Sequence, residues 1–115
     1  MTRIVAGSAK GRNLAVPKSG TRPTSERVRE ALFSRLDHMN VLDGATVLDL
    51  YAGTGALGLE ALSRGGTHAT LVEKASAAAR VASANVRSTG LAARVVTADA
   101  RSYLGARSGE ALAGD

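Results

Sequence analysis

The sequence predicts an α/β fold with a doubly wound parallel sheet, and three observations carry that reading. Thr46 to Tyr51 is a short apolar run with one acid, Asp49, the pattern of a strand covered on both faces. It runs straight into Gly53-Thr54-Gly55, where the backbone can turn sharply and no β-carbon stands in the way of a ligand. From Ala56 to Arg64 the chain is then apolar nearly all round, with Glu60 the clearest polar break, which predicts a buried helix. Strand, glycine loop and helix N-terminus in that order form the ligand-binding end of such a sheet.

Two more strand-like runs follow at regular spacing. Ala69-Thr70-Leu71-Val72 ends at Glu73, and Val95-Val96-Thr97-Ala98 ends at Asp99. Between them Ala75, Ala78, Ala79, Ala82 and Val86 repeat at helical spacing opposite Ser76, Arg80, Ser83 and Arg87, and Gly90 closes the helix. Asp49, Glu73 and Asp99 thus end three successive strands, 24 and 26 residues apart, each interval the length of one βα unit. Right-handed crossovers bring all three carboxyl ends to one edge of the sheet. The expected strand order is 3-2-1, with the first strand left as a bare edge.

The glycines Gly53, Gly55 and Gly58 also fit the G-x-G-x-x-G pattern of dinucleotide sites, so a nicotinamide-dependent oxidoreductase stays open. Asp49 separates the two readings. A pyrophosphate seeks amide donors and positive charge, and gains nothing from a carboxylate beside it. A ligand bearing an ammonium or sulfonium gains a great deal, so the pattern favours S-adenosylmethionine. Glu73 is placed to accept both ribose hydroxyls. Asp99 is placed to accept from the adenine amino group, or else simply caps the short helix begun at Arg101. Tyr51, Ala52, Lys74 and Ala100 complete the expected lining, with Tyr51 as a wall.

Composition sets the outer limits. A chain of 115 residues supports at most one domain with a modest core, built on leucine, valine and alanine. It has no cysteine, which excludes disulfides and thiolate metal sites. His38 and His68 stand apart from any third ligand, so no metal is expected. No signal peptide or membrane-length run is visible, and the expected location is cytoplasmic.

Charge divides the chain. Residues 1–36 hold Arg3, Lys10, Arg12, Lys18, Arg22, Arg27, Arg29 and Arg35 against Glu26 and Glu30, a net +6, while the rest carries a net −1. This predicts a basic N-terminal segment (1–40) for a polyanionic partner, followed by a nearly neutral ligand-binding unit (41–115). Arg3–Ala6 and Asn13–Val16 read as the arms of a hairpin with a basic tip, ended by Pro17. Thr24 is a fitting N-cap for a helix whose apolar stripe is Val28, Ala31, Leu32 and Leu36, leaving Arg27, Arg29 and Glu30 to other faces.

Arg3-Ile4-Val5-Ala6-Gly7, Gly11-Arg12, Arg22-Pro23-Thr24, Arg27 to Phe33 and Val47 to Ala61 together resemble the bacterial 16S rRNA guanine-N2 methyltransferases. The resemblance runs from Arg3 to about Asp99. It implies a class I methyltransferase (Rossmann-like) sheet, here its first three βα units, preceded by an N-terminal β-hairpin and helix. It implies S-adenosylmethionine held at Asp49, the Gly53-Thr54-Gly55 loop, Glu73 and Asp99. It also implies that the basic segment, through Arg3, Lys10, Arg12, Arg22, Arg27 and Arg29, engages 16S rRNA in a partly assembled small subunit. Members of that family carry, after a fourth strand, Asp or Asn followed by two prolines and an aromatic. This chain has only Pro17 and Pro23, so the tetrapeptide that positions the target amine is absent. The chain reads as an N-terminal portion, inactive by itself. A non-catalytic RNA-binding module on a degenerate scaffold is the other alternative.

Overall fold

The computed structural model describes residues 2–16 and 26–105. The elements are β1 (Thr2–Arg3), β2 (Asn13–Leu14), α1 (Glu26–His38), β3 (Thr46–Asp49), α2 (Ala56–Ser63), β4 (His68–Glu73), α3 (Ser76–Thr89) and β5 (Ala93–Thr97). A helical segment opens again at residue 100. Pro17 as a stop, Arg22, the Thr24 cap and the end of the chain lie outside the described residues.

Strands β3, β4 and β5 form a parallel sheet in that order, with Asp49 opposite Leu71 and Glu73 opposite Thr97. Among the described residues the first strand is therefore at the edge, as the 3-2-1 order requires. It is shorter than expected, ending at Asp49 rather than Tyr51. The Tyr51 N–H turns back onto Asp49 Oδ1 at 3.1 Å, which bends the backbone out of the ladder. Nor is it covered on both faces: Leu48 is 49% exposed. An outer strand lacks the neighbour that would shield it, and an apolar groove of 420 Å³ runs beside it between Phe33, Leu36, Leu48 and Leu57.

Gly58 has a packing role. A β-carbon there would overlap the Leu71 side chain, so the glycine lets α2 lie close against β4. In α3 the inward row is Ala79, Ala82 and Asn85, with Ala75 exposed, so a polar residue takes a place on the buried face. Gly90 ends that helix at φ 69°, its N–H bonded to Val86 O.

The hairpin differs most from expectation. Only two residues pair as strand on each side; Ile4 still bonds Arg12 and Gly11 across the turn, and the N–H groups of Val5 and Ala6 donate instead to Glu60 on α2. Gly7 adopts φ 89° against the Ser63 carbonyl, which a side chain would strike. Ile4, Ala9 and Leu14 are buried in the same cluster as Ala52, Ala56, Leu59, Leu62, Ala69 and Leu71. Hairpin and sheet thus share one core, and burying Ile4 and Leu14 contributes about 1.5–3 kcal/mol each.

Helix α1 is turned relative to the expected stripe. Phe33 and Arg29 face inward and Leu36 is half-buried, while Val28, Ala31 and Leu32 are exposed. Phe33 packs on Leu42 and Ala61, and Glu60 draws the Arg29 guanidinium in beside it.

Candidate cofactor site and basic surface

A cavity of 320 Å³ opens at the carboxyl ends of the three parallel strands. Leu50, Tyr51, Glu73, Lys74, Asp99, Ala100 and Arg101 line it. Five of these were anticipated from the sequence: Tyr51, Glu73, Lys74, Asp99 and Ala100. Leu50 and Arg101 were not, although each adjoins a residue that was. Tyr51 is 83% exposed and forms an open wall.

The glycine loop beside the cavity is fixed peptide by peptide. Ala52 N–H donates to Val72 O at 3.0 Å, and Gly53 N–H to Glu73 Oε1 at 2.8 Å. Gly55 N–H donates to Ala52 O at 2.7 Å, and the buried Asn85 donates from Nδ2 to Thr54 O at 2.9 Å. Gly53 and Gly55 have φ of 54° and 85°, left-handed values that favour glycine. A β-carbon on Gly53 would meet only open space.

The three acids stand in different states. Glu73 holds the loop through Oε1 and accepts the Ala75 N–H at 2.8 Å through Oε2. Asp99 Oδ1 accepts the N–H groups of Arg101 and Ser102, capping the helical segment that follows while its residue still lines the cavity. Asp49 accepts from Tyr51 through Oδ1, but its Oδ2 is buried with no partner among the described residues. Burial raises its pKa, the Tyr51 amide works against that, and nearby Glu73 raises it further. Asp49 is half-buried and borders the apolar groove rather than the cavity, and its one shielded, unpartnered oxygen suits a cation or a strong donor. This fits the ammonium-bearing tail of S-adenosylmethionine and offers nothing to a pyrophosphate.

The basic residues separate into two groups. Lys10, Arg12 and Arg27 are exposed, and Arg3 is exposed in an ion pair with Glu26 at 3.4 Å. Arg29 is a correction: it cannot meet RNA, because its side chain is wholly buried. It lies 3.6 Å from Glu60, also wholly buried, and donates through Nη2 to the Arg3 carbonyl. Burial pulls its pKa below the ordinary arginine value and Glu60 pushes back. Glu60 takes in addition Val5 N–H at 2.9 Å, Ala6 N–H at 3.1 Å and Arg64 Nε at 2.9 Å. Sequence reading found Glu60 only as a break in an apolar helix. Its signal was that break, a lone acid on a helix otherwise fit for burial.

Among the described residues, no group of three or more His, Asp or Glu side chains could hold a metal ion, and no helix is long and apolar enough to cross a membrane.

A family model described as conserved hypothetical protein 95 matches residues 2–112. The chain is 47% identical over 104 residues to ribosomal RNA small subunit methyltransferase D of Escherichia coli K12, covering 89% of this chain and 52% of that protein. It spans about half the length of that relative. A hypothetical protein of Thermus thermophilus superposes with a TM-score of 0.84 at 41% identity, covering 96% of this chain and 63% of the other. The Escherichia coli protein yhhF, described as a putative methyltransferase, superposes at 0.79 with 45% identity, covering 89% and 55%.

Proposed function

The chain belongs to the family described as conserved hypothetical protein 95, and from that membership we propose that it is the cofactor-binding and RNA-docking part of an S-adenosylmethionine-dependent methyltransferase of 16S rRNA. The relative named as a small-subunit rRNA methyltransferase supports the reaction class. The unpartnered Oδ2 of Asp49 beside the glycine loop is the observation that carries the cofactor.

When bound, the cofactor supplies a methyl group on a cationic sulfur. Asp49 would meet the ammonium of its amino-acid tail. Glu73, with spare lone pairs on both oxygens, would take the ribose hydroxyls while still holding Gly53 and Ala75. Tyr51, Ala52, Lys74, Asp99 and Ala100 would bound the adenosine, and the Gly53-Thr54-Gly55 backbone would lie under the tail. Lys10 and Arg12, with Arg3 and Arg27, would contact RNA phosphates, which position the substrate without reading its bases.

The finer reading is methylation of a guanine N2 amine. That amine is a weak nucleophile, its lone pair delocalised into the ring, so it needs acceptors for its hydrogens and a stacking platform for the flipped base. The Asp or Asn, Pro, Pro, aromatic tetrapeptide that would supply both is absent from these 115 residues. The chain alone is therefore expected to bind cofactor and RNA but transfer no methyl group. A partly assembled small subunit in the cytoplasm is the expected setting.

Calorimetry tests the reading. S-adenosylhomocysteine and S-adenosylmethionine should compete for one site and NAD should not displace either. Tight NAD binding without S-adenosylhomocysteine binding would reject it.

A further inference from the structure

We propose that Asn85 is a positioning residue that couples the basic hairpin to the glycine loop, so that RNA on the hairpin and cofactor at the loop each change the other's affinity. The inference rests on the functional reading above and adds a mechanism that links its two sites.

Asn85 sits on the inward face of α3 and is 1% exposed. One carboxamide makes three bonds to two separate segments. Its Oδ1 accepts the Ala15 N–H at 2.7 Å, and its Nδ2 donates to Ala15 O at 3.1 Å and to Thr54 O at 2.9 Å. Ala15 directly follows β2, and Thr54 is the middle residue of the glycine loop. The two segments are 39 positions apart in the chain yet share this one side-chain plane.

The bond to Thr54 O reaches the peptide whose other end, Gly55 N–H, is held by Ala52 O. With both ends fixed, the 54–55 peptide has one orientation, and that orientation sets φ at Gly55, where α2 begins. A shift of Ala15 must move the carboxamide, break a bond to it, or turn the Thr54 peptide. Breaking the bond leaves a buried amide unsatisfied, which is disfavoured. The connected movement is the cheaper course, so ordering one segment orders the other.

The hydrogen bonds from α2 to the hairpin lack this reach. Ser63 accepts the Ala9 N–H and donates to Ala6 O, and Glu60 takes Val5 and Ala6, all in the C-terminal half of α2. They hold the hairpin in place without touching the loop.

The test is the ratio of S-adenosylhomocysteine dissociation constants without and with purified 16S rRNA, measured on the full chain. Coupling between sites commonly lies in the range of about 5–150-fold, and by linkage the cofactor must change RNA affinity by the same factor. The wild-type chain should show a ratio of about 5 or more, falling to about 1–2 in Asn85→Ala. Ser63→Ala, which loosens the hairpin but leaves Thr54 alone, should weaken RNA binding and keep the ratio. Ala15→Pro deletes one donor from the exposed side of the joint without opening the core, and should lower the ratio at least twofold if Asn85→Ala does not fold. An unchanged ratio in the folded Asn85→Ala or Ala15→Pro variant would overturn the proposal, as would its loss in Ser63→Ala or its absence from the wild type. If the wild type binds no S-adenosylhomocysteine at all, the functional reading itself has failed.

Discussion

Glu60, wholly buried, and Asp49, half-buried with one oxygen shielded from water, are two acids of one small molecule that are treated in opposite ways. Glu60 is fully engaged, with two backbone amides and Arg64 as hydrogen-bond donors and Arg29 beside it as an ion-pair partner. Asp49 has one amide on one oxygen and, among the described residues, nothing on the other. With three hydrogen bonds from its own chain, Glu60 is part of the architecture, although Arg29 Nε and Nη1 beside it have no hydrogen-bond partner among the described residues. Asp49, which borders the apolar groove beside β3 rather than lining the 320 Å³ cavity, is left half-satisfied, and under the proposed function it would meet the ammonium of the cofactor. The two halves of α2 differ as well: the C-terminal half anchors the hairpin while the N-terminal end abuts the glycine loop.

The largest expected effect comes from breaking the architectural acid. Glu60→Ala strands the buried Arg29 charge and frees two hairpin amides. It should destabilise the chain by about 3–5 kcal/mol, read as a lower urea midpoint. A loss under about 1 kcal/mol, the ordinary cost of a point substitution, would show that Glu60 is not what holds the hairpin down.

Glu73 lies between the two cases, since it holds Gly53 and also borders the cavity. Glu73→Ala should weaken S-adenosylhomocysteine binding by about 1.5–3 kcal/mol, the range for hydrogen bonds to a charged group. Calorimetry would expose the opposite result, unchanged affinity with lost stability, which would make Glu73 structural like Glu60.

Neutralising Lys10 and Arg12 together sharpens the comparison on the RNA side. Log affinity against log salt should flatten by roughly 1.5 units, at about 0.7–0.9 per phosphate contact, while cofactor affinity barely moves. If the slope stays and cofactor affinity collapses, the hairpin is a lid on the cofactor. The smallest effect belongs to the sheet edge. Leu48→Lys should change stability by no more than about 0.5 kcal/mol yet reduce self-association in sedimentation, because a charge on an edge strand discourages strand pairing.

The sequence carried the parallel strands, the glycine loop and the edge position of β3, because period and spacing in the chain report local geometry directly. It did not carry the rotation of α1. Val28, Ala31 and Leu32 formed the more apolar stripe, but a single buried acid on a distant helix outweighed them and drew Arg29 inward. Asn85 was equally hidden, since an asparagine among helix polar positions looks solvated until Ala15 and Thr54 are seen on either side of it. The presence and order of the strands follow from local pattern, whereas Glu73 meets Gly53 from 20 positions away and Asn85 meets Ala15 from 70.

If Asp49 keeps one oxygen unsatisfied for the ammonium of the cofactor, Asp49→Asn is the most direct test. Its raised pKa means that the neutral form suits the folded, cofactor-free chain. That contribution to stability is complete below the ordinary carboxylate range and is lost as pH rises through the raised value. At neutral pH the variant should therefore melt above the wild type, while its affinity for S-adenosylhomocysteine falls by about 1.5–3 kcal/mol. In the wild type, affinity should decline as pH drops through the Asp49 titration, and in the variant that decline should vanish. Equal affinity in the two proteins, with the same pH profile, would contradict the claim.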